Sequence, residues 1–366
     1  LVAEHKKHLA LDFILIGLVM ALWHGWLWTV YPPHLGGDAT LHSVYTFDLL
    51  ENGDKPTAYT ALFYWMPLAP LAQTLPFHWG GLRGYQVFFT GLAILAAWLF
   101  YLTLRPWGRR WALAGVALFA AYLPIQVSYH QINVASVFAT TLLGAVYALR
   151  RALLQPTFAA WGWLGVALGL VVLTRANGLV LLFFGVAVLW TDGNWRQKVG
   201  RLAWMLALLT LTLAPWTAYK GLRYGEWSLS RNGWLSFYGL YSNTALTEAL
   251  ILPENGPASQ ELAALVEEHL LPHPYYAAYN VQLEQIFGYE AGRRDVRFLN
   301  DMVVLVDQQK GWHSDHALLR QVVQEALRRH ALRYGRIILQ AWCDLMFTRY
   351  SLDPVSYTHL TLPTKA

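Results

Sequence analysis

Runs of about twenty apolar residues decide what this chain can become. A helix that crosses a bilayer needs about 20 of them, since each adds about 1.5 Å across a hydrocarbon core about 30 Å thick. Seven stretches reach or approach that length, near 9–30, 84–104, 111–129, 132–149, 160–174, 176–190 and 202–219. The fifth and sixth are short and meet at Leu173-Thr174-Arg175-Ala176-Asn177-Gly178, where a tilted or broken helix is expected. Apolar residues make up 56% of the chain and charged residues 13%, against about a quarter charged in a soluble domain. The expected fold is all-α: a polytopic transmembrane helix bundle of about seven spans plus a partial eighth, with an outer helical soluble segment.

Basic residues orient such a bundle, because cytoplasmic connections collect Lys and Arg. Lys6 and Lys7 precede the first span; Arg105, Arg109 and Arg110 separate the second and third. Arg150 and Arg151 separate the fourth and fifth, and Arg196, Lys198 and Arg201 precede the seventh. The alternate connections hold only Lys55 and Arg83, then none, then Arg175. The N-terminus is therefore expected in the cytoplasm of a plasma (inner) membrane, with the acid- and aromatic-rich loops on the exoplasmic or periplasmic side. The net charge of +5 belongs to these clusters, and no nucleic-acid motif accompanies it, so nucleic acid is not an expected partner. One cysteine, Cys343, rules out an internal disulfide and any cysteine-based metal cluster.

The domain reading follows. Residues 1–243 form the transmembrane module, with a long outer connection at 31–82; 244–335 form an exoplasmic helical segment; 336–354 begin a further membrane helix. Loops as long as the first are functional or disordered, and Phe47, Tyr59, Phe63, Tyr64 and Trp65 give this one the composition of a packed segment. Glu261, Leu262, Leu265, Val266 and His269 repeat at helical spacing, as do Leu318, Leu319, Val322, Val323, Ala326 and Leu327, with Asp315 as a cap. Residues 355–366 (VSYTHLTLPTKA) follow no earlier pattern and read as a sequence artefact, with the natural protein continuing past about Pro354.

Asp38 leads the candidates for chemistry. It follows Gly36-Gly37 just past the first span, beside His34 and His42. A carboxylate at a membrane boundary can take a proton from a hydroxyl; Asp before Ala-Thr-Leu-His equally suits a helix N-cap. Arg175 sits near the outer end of the fifth span, where an ionisable group is costly. Its fork can grip a phosphate, or its head can snorkel to the lipid headgroups. Arg83, heading the second span, has the same two readings. Lys220 and Arg223 follow the seventh span and suit a phosphate or anionic lipid. His130, in the tight turn His130-Gln131-Ile132-Asn133, is either structural or substrate-facing. No His-x-x-x-His or Asp-x-Asp pairing supports a dedicated metal site, although the need for a divalent metal stays open.

Together the segments GGDATLHSVYTFDLLENG, YTALFYWMPLAPLA, ALGLVVLTRANGLVLL and APWTAYKGLRYGEWSLSRNG resemble the GT-C glycosyltransferases. That superfamily includes the protein O-mannosyltransferases and the lipid A aminoarabinose transferase. DHALLRQVVQEALRRHALRYGRIIL is similar to its outer helix that returns the chain to the bilayer. The resemblance implies sugar transfer from a polyprenyl- or dolichyl-phosphate donor to a glycan, lipid or protein acceptor at the outer face. Asp38 would act as general base, with Arg83 and Arg175 steadying the lipid phosphate. His42, His130, Tyr64 and Arg223 complete the candidate substrate-binding set. Ala39 stands where many relatives carry a second acid, and Tyr64-Trp65-Met66-Pro67 replaces the commoner double proline. The competing readings are an O-antigen ligase or polymerase and a secondary transporter, which would carry broken-helix or charged features at mid-membrane.

Overall fold

Backbone polar groups in apolar surroundings must find partners within the chain, and helices do so locally. The computed structural model follows this logic over the residues it describes: 2–31, 34–35, 66–132, 134–224, 227, 229, 253–272, 274, 305–306, 309 and 315–347. The chain divides into two units, Leu1–Gly233 and Trp234–Ala366.

The first unit opens with α1 (Val2–Val30) and the two-residue strand β1 (His34–Leu35). Helix α2 (Leu68–Leu104) begins well before the expected second span, so residues 68–82 of the long connection are helical. It bends at Gly81, whose φ of 56° suits glycine. The arms close so tightly that a Cβ on Gly84 would lie 2.2 Å from the Pro76 carbonyl oxygen. The expected third span is split at Tyr122 into α3 (Arg109–Ala121) and α4 (Leu123–Ser128). Pro124 causes the split, since it has no N–H to donate to the Ala120 carbonyl and its ring suits the first turn of a new helix. Strand β2 (Gln131–Ile132) pairs in parallel with β1. Then come α5 (Val134–Leu154), α6 (Phe158–Thr174), a 3₁₀ helix (Ala176–Trp190) and α7 (Trp195–Tyr224).

Four stretches are long and apolar enough to cross a membrane: His8–Val30, Leu68–Trp107, Val134–Leu154 and Trp195–Leu222. Phe158–Thr174 and Ala176–Trp190 are shorter apolar helices. The 3₁₀ form lengthens the second of these: fifteen residues at about 2.0 Å each extend about 30 Å, where an α-helix would reach about 22 Å.

Side-chain contacts fix the directions. Asp12, fully buried in α1, accepts hydrogen bonds from Arg109 Nε (3.0 Å) and Nη2 (2.7 Å) and from the Tyr101 hydroxyl. At the other end of α1, Trp28 Nε1 donates to Thr90 Oγ1 (3.0 Å) and His130 lies against Tyr31. The stretch from Asp12 to Tyr31 rises about 28 Å. Hence α2 runs back along α1, and residues 109–130 run forward along it despite the break. Helix α5 returns, with Arg150 Nη1 donating to the Leu102 carbonyl (2.6 Å) at the Asp12 end. Helices α6 and α7 run parallel and almost touch: a Cβ on Gly162 would meet Trp204 at 2.7 Å, on Gly165 the Met205 carbonyl oxygen at 2.1 Å, on Gly169 Thr212 at 2.7 Å. Small residues at this spacing let helix backbones approach. The 3₁₀ helix connects them and runs back alongside both, ending where Arg201 Nη1 donates to Thr191 Oγ1 (3.1 Å) and the Asp192 carbonyl (2.6 Å).

The second unit holds a 3₁₀ turn (Pro253–Asn255), α8 (Pro257–Leu265) continued by a π turn (Val266–Leu270), and α9 (Asp315–Phe347). Leu262 and Val266 are buried, as are Leu318, Leu319, Val322, Val323 and Ala326, which follows the expected helical spacing. Helix α9 bends at His330, whose Nε2 lies 3.0 Å from Asn255 Oδ1. Residues 355–366 lie outside the described residues, as does most of the connection between α8 and α9.

Candidate functional site

The directions of the helices gather the described candidates at one end of the bundle. Arg83 is exposed, just past the Gly81 bend and two residues before Tyr85, whose ring meets Trp28. Arg175 ends α6 in an extended conformation (φ −147°), exposed, with its guanidinium 5.9 Å from the centre of the Phe138 ring. Phe138 lies in the first turns of α5, close after His130, so Arg175 and His130 share an end. Lys220 and Arg223 lie in the last turns of α7, which ends beside the end of α6. The opposite end carries Arg109, Arg150 and Arg201, each bonded to a carboxylate or to carbonyl oxygens.

Lys220 does not extend from the bundle as its position after an apolar run suggests. It is fully buried, donating from Nζ to the Leu229 carbonyl (3.1 Å) with the Trp216 ring centre 5.5 Å away. A buried ammonium is held in place by such acceptors and by the negative face of an indole.

His130 is also fully buried, and it belongs to a group the sequence did not announce. Its Nε2 lies 2.9 Å from His24 Nδ1, and its Nδ1 lies 3.3 Å from the Tyr31 carbonyl oxygen. His24, fully buried in α1, presents Nε2 to Gln126 Oε1 at 3.0 Å. Gln126 in turn donates from Nε2 to the Phe119 carbonyl (2.6 Å), a bond freed for it by the helix break at Tyr122. The two imidazoles meet edge to edge and nearly coplanar (centres 5.1 Å apart, planes 19° apart), and Trp28 covers His130 with ring centres 3.7 Å apart. The one sequence signal for this group was an interior histidine on an apolar helix.

Asp38, His42 and Tyr64 lie outside the described residues. So do the other acids of the first outer connection, Asp48, Glu51 and Asp54. Among the described residues, no group of three or more His, Cys, Asp or Glu side chains could hold a metal ion. The structure therefore brings Arg83, His130, Arg175 and the end of α7 to one end of a helical bundle with four membrane-length helices. Comparison with known proteins returns no match to a family model, a curated protein or a solved structure.

Proposed function

We propose that the protein is a membrane glycosyltransferase of GT-C type. It moves a sugar from a polyprenyl- or dolichyl-phosphate donor to an acceptor hydroxyl at the outer face of the plasma (inner) membrane. In this reading all seven alternating segments cross the bilayer, with the N-terminus in the cytoplasm. Asp38 takes the proton of the acceptor hydroxyl as its oxygen bonds to the anomeric carbon. The carbon–oxygen bond to the lipid phosphate breaks, and its electron pair leaves with the phosphate. Arg83 and Arg175 stabilise that departing anion, which is the role fixed cations fill best as charge develops.

The observation that carries the reading is the placing of Arg83 and Arg175. Arg109, Arg150 and Arg201 are bonded at one end, where Arg110, Arg151 and Arg196 are exposed, while Arg83 and Arg175 stand exposed at the second end, which holds His130. Strand β1 joins that second end to the segment holding Asp38: three residues reach at most about 11 Å, so covalent linkage keeps position 38 within that distance of Leu35. A secondary transporter is the other reading, favoured by the buried polar chain of His24, Gln126 and His130 inside the bundle.

The test is transfer from radiolabelled polyprenyl-phosphate sugars in proteoliposomes, comparing wild type with Asp38→Asn. The expected outcome is measurable transfer by the wild type and a loss of at least 100-fold in the variant, in the range of a general base. Equal transfer by both removes Asp38 from the role. No transfer with any lipid-linked sugar, together with solute uptake, supports the transporter.

A further inference from the structure

A groove of about 320 Å³ runs along the first unit between the 3₁₀ helix and the first turns of α7. On α7 its wall holds Trp195, Lys198, Leu202 and Leu206, spaced three and four residues apart so that they share one face. On the 3₁₀ helix it holds Leu182, Gly185 and Val188, which align because that helix turns once in three residues. The two helices touch at Gly185, where a Cβ would lie 2.9 Å from Leu202, and the groove is the furrow along this contact.

The chemistry of the groove is lopsided. Among the described residues that line it, Lys198 alone is charged, and it lies at one end. Its Nζ donates to the Leu189 carbonyl (2.7 Å), near the close of the 3₁₀ helix. That bond fixes the ammonium at the mouth and uses one of its three protons, leaving two for an anion. Trp195 and Arg196 stand exposed beside it, and an indole suits the level of the lipid headgroups. Arg201 is tied to Thr191 Oγ1 and the Asp192 carbonyl, while the Asp192 side chain is exposed on the joining turn. Three cations thus stand with one carboxylate around the mouth.

Length identifies the occupant. From Lys198 to Leu206 α7 rises about 12 Å, and Leu182 to Leu189 on the 3₁₀ helix spans about 14 Å. Both are close to half of a hydrocarbon core about 30 Å thick. Helix α7 is long and apolar enough to cross a membrane and continues to Tyr224, so the groove stops about halfway along it. A partner helix would need a seat running the whole depth. One acyl chain, lying in one leaflet beneath an anionic headgroup, needs only this half.

We propose that the groove binds one anionic phospholipid, with its phosphate on Lys198 and an acyl chain along the furrow. In the topology proposed above this is the cytoplasmic leaflet, where anionic lipids collect. The proposal needs α7 to cross a bilayer and does not depend on sugar transfer.

The experiment places the full chain in phosphatidylcholine nanodiscs with a trace of phosphatidylglycerol that carries a photoreactive diazirine in its acyl chain. A phosphatidylcholine probe with the same chain is the comparison, and mass spectrometry locates the crosslinks. The expected result is labelling of 182–189 and 199–206. It should be about fivefold stronger with phosphatidylglycerol, the scale of one basic residue beside an anionic lipid. Lys198→Gln should remove that preference and Lys198→Arg should keep it. Val199→Trp, which fills the groove, should lower labelling by both probes. Arg110→Gln, at an exposed cation of the same end outside the groove, should change neither. Equal labelling by the two probes in the wild type, or a preference that survives Lys198→Gln, overturns the proposal. So does the absence of label from both segments, the outcome if a second copy or another stretch of the chain covers the groove. Should the Lys198 variants fail to assemble, competition in the wild type decides. Displacement of the probe by unlabelled phosphatidylglycerol and not by phosphatidylethanolamine supports the site, and equal displacement overturns it.

Discussion

The two units are both helical, yet they are built inside out with respect to each other. In the first, leucines stand on the outside, Leu22 at 75% and Leu222 at 79% exposure, while Asp12, His24, Gln126 and Lys220 are fully buried. In the second, Leu318, Leu319, Val322 and Val323 are buried, and Glu261, Glu267, Glu268 and Arg320 are exposed. The second pattern is what water selects. In the first, apolar burial gives little reason for helices to associate, since lipid is as apolar as leucine, and close packing with polar ties supplies the specificity instead. The change of character falls within α9: beyond the bend at His330, Leu332 is 92% and Leu339 61% exposed.

The strongest way to break this contrast is to charge the outside of the first unit. Leu22→Lys lies near the middle of α1 on its exposed face. If that face meets lipid, insertion of α1 becomes less favourable by about 3 kcal/mol; if it meets water, the change stays within about 0.5 kcal/mol. Insertion into microsomes, scored with engineered glycosylation tags on either side of α1, separates the two. An unaffected Leu22→Lys chain removes the membrane reading of this helix.

The next effect comes from the inside of the same unit. Tyr101→Phe deletes one donor to the buried Asp12 carboxylate and leaves Arg109 in place. Losing a hydrogen bond to a charged group costs about 1.5–3 kcal/mol. Thermal unfolding in detergent checks it, with Tyr122→Phe as the control on an exposed ring. Equal midpoints for the two variants mean that the polar ties do not organise the bundle.

Whether such features can be read from sequence depends on how far apart their partners lie. The long helices are legible because apolar length is a local property. The bonds that order them are not: Asp12 meets Arg109 across 97 residues, and His24 meets His130 across 106. By itself, Asp12 reads only as an acid tolerable near an interface, and His130 only as a turn histidine. The split at Tyr122 was available in Pro124, yet an unbroken apolar run obscured it. Gly162, Gly165 and Gly169 carry the α6–α7 contact with nothing polar to mark them. The candidate site is legible in part: Arg83, Arg175 and His130 converge on one end, while Asp38, His42 and Tyr64 lie outside the described residues.

The smallest effect sharpens the contrast from the water-soluble side. Helix α8 has Gly256 at its N-cap position and no side-chain cap of its own. Glu325 of α9 supplies one, accepting from the Ala258 N–H (2.9 Å), the Ser259 N–H (2.8 Å) and the Ser259 hydroxyl (2.8 Å). Burial pushes this carboxyl up, but the bonds from Ala258 and Ser259, helped by Arg328, outweigh it and hold the group below its ordinary 4.5. A depressed carboxylate stabilises fully above its unfolded value, and that contribution is lost as pH falls through the folded value. Glu325→Gln should therefore cost about 1 kcal/mol at pH 7, the scale of a helix cap, with the gap to wild type closing below about pH 4.5. Amide hydrogen exchange at Ala258 and Ser259, followed against pH in both proteins, reads this directly. A gap that persists unchanged into acid means that the carboxylate charge is not what holds α8 to α9. Among its described residues the second unit would then rest on buried leucines and valines, which sharpens its contrast with the polar-tied bundle.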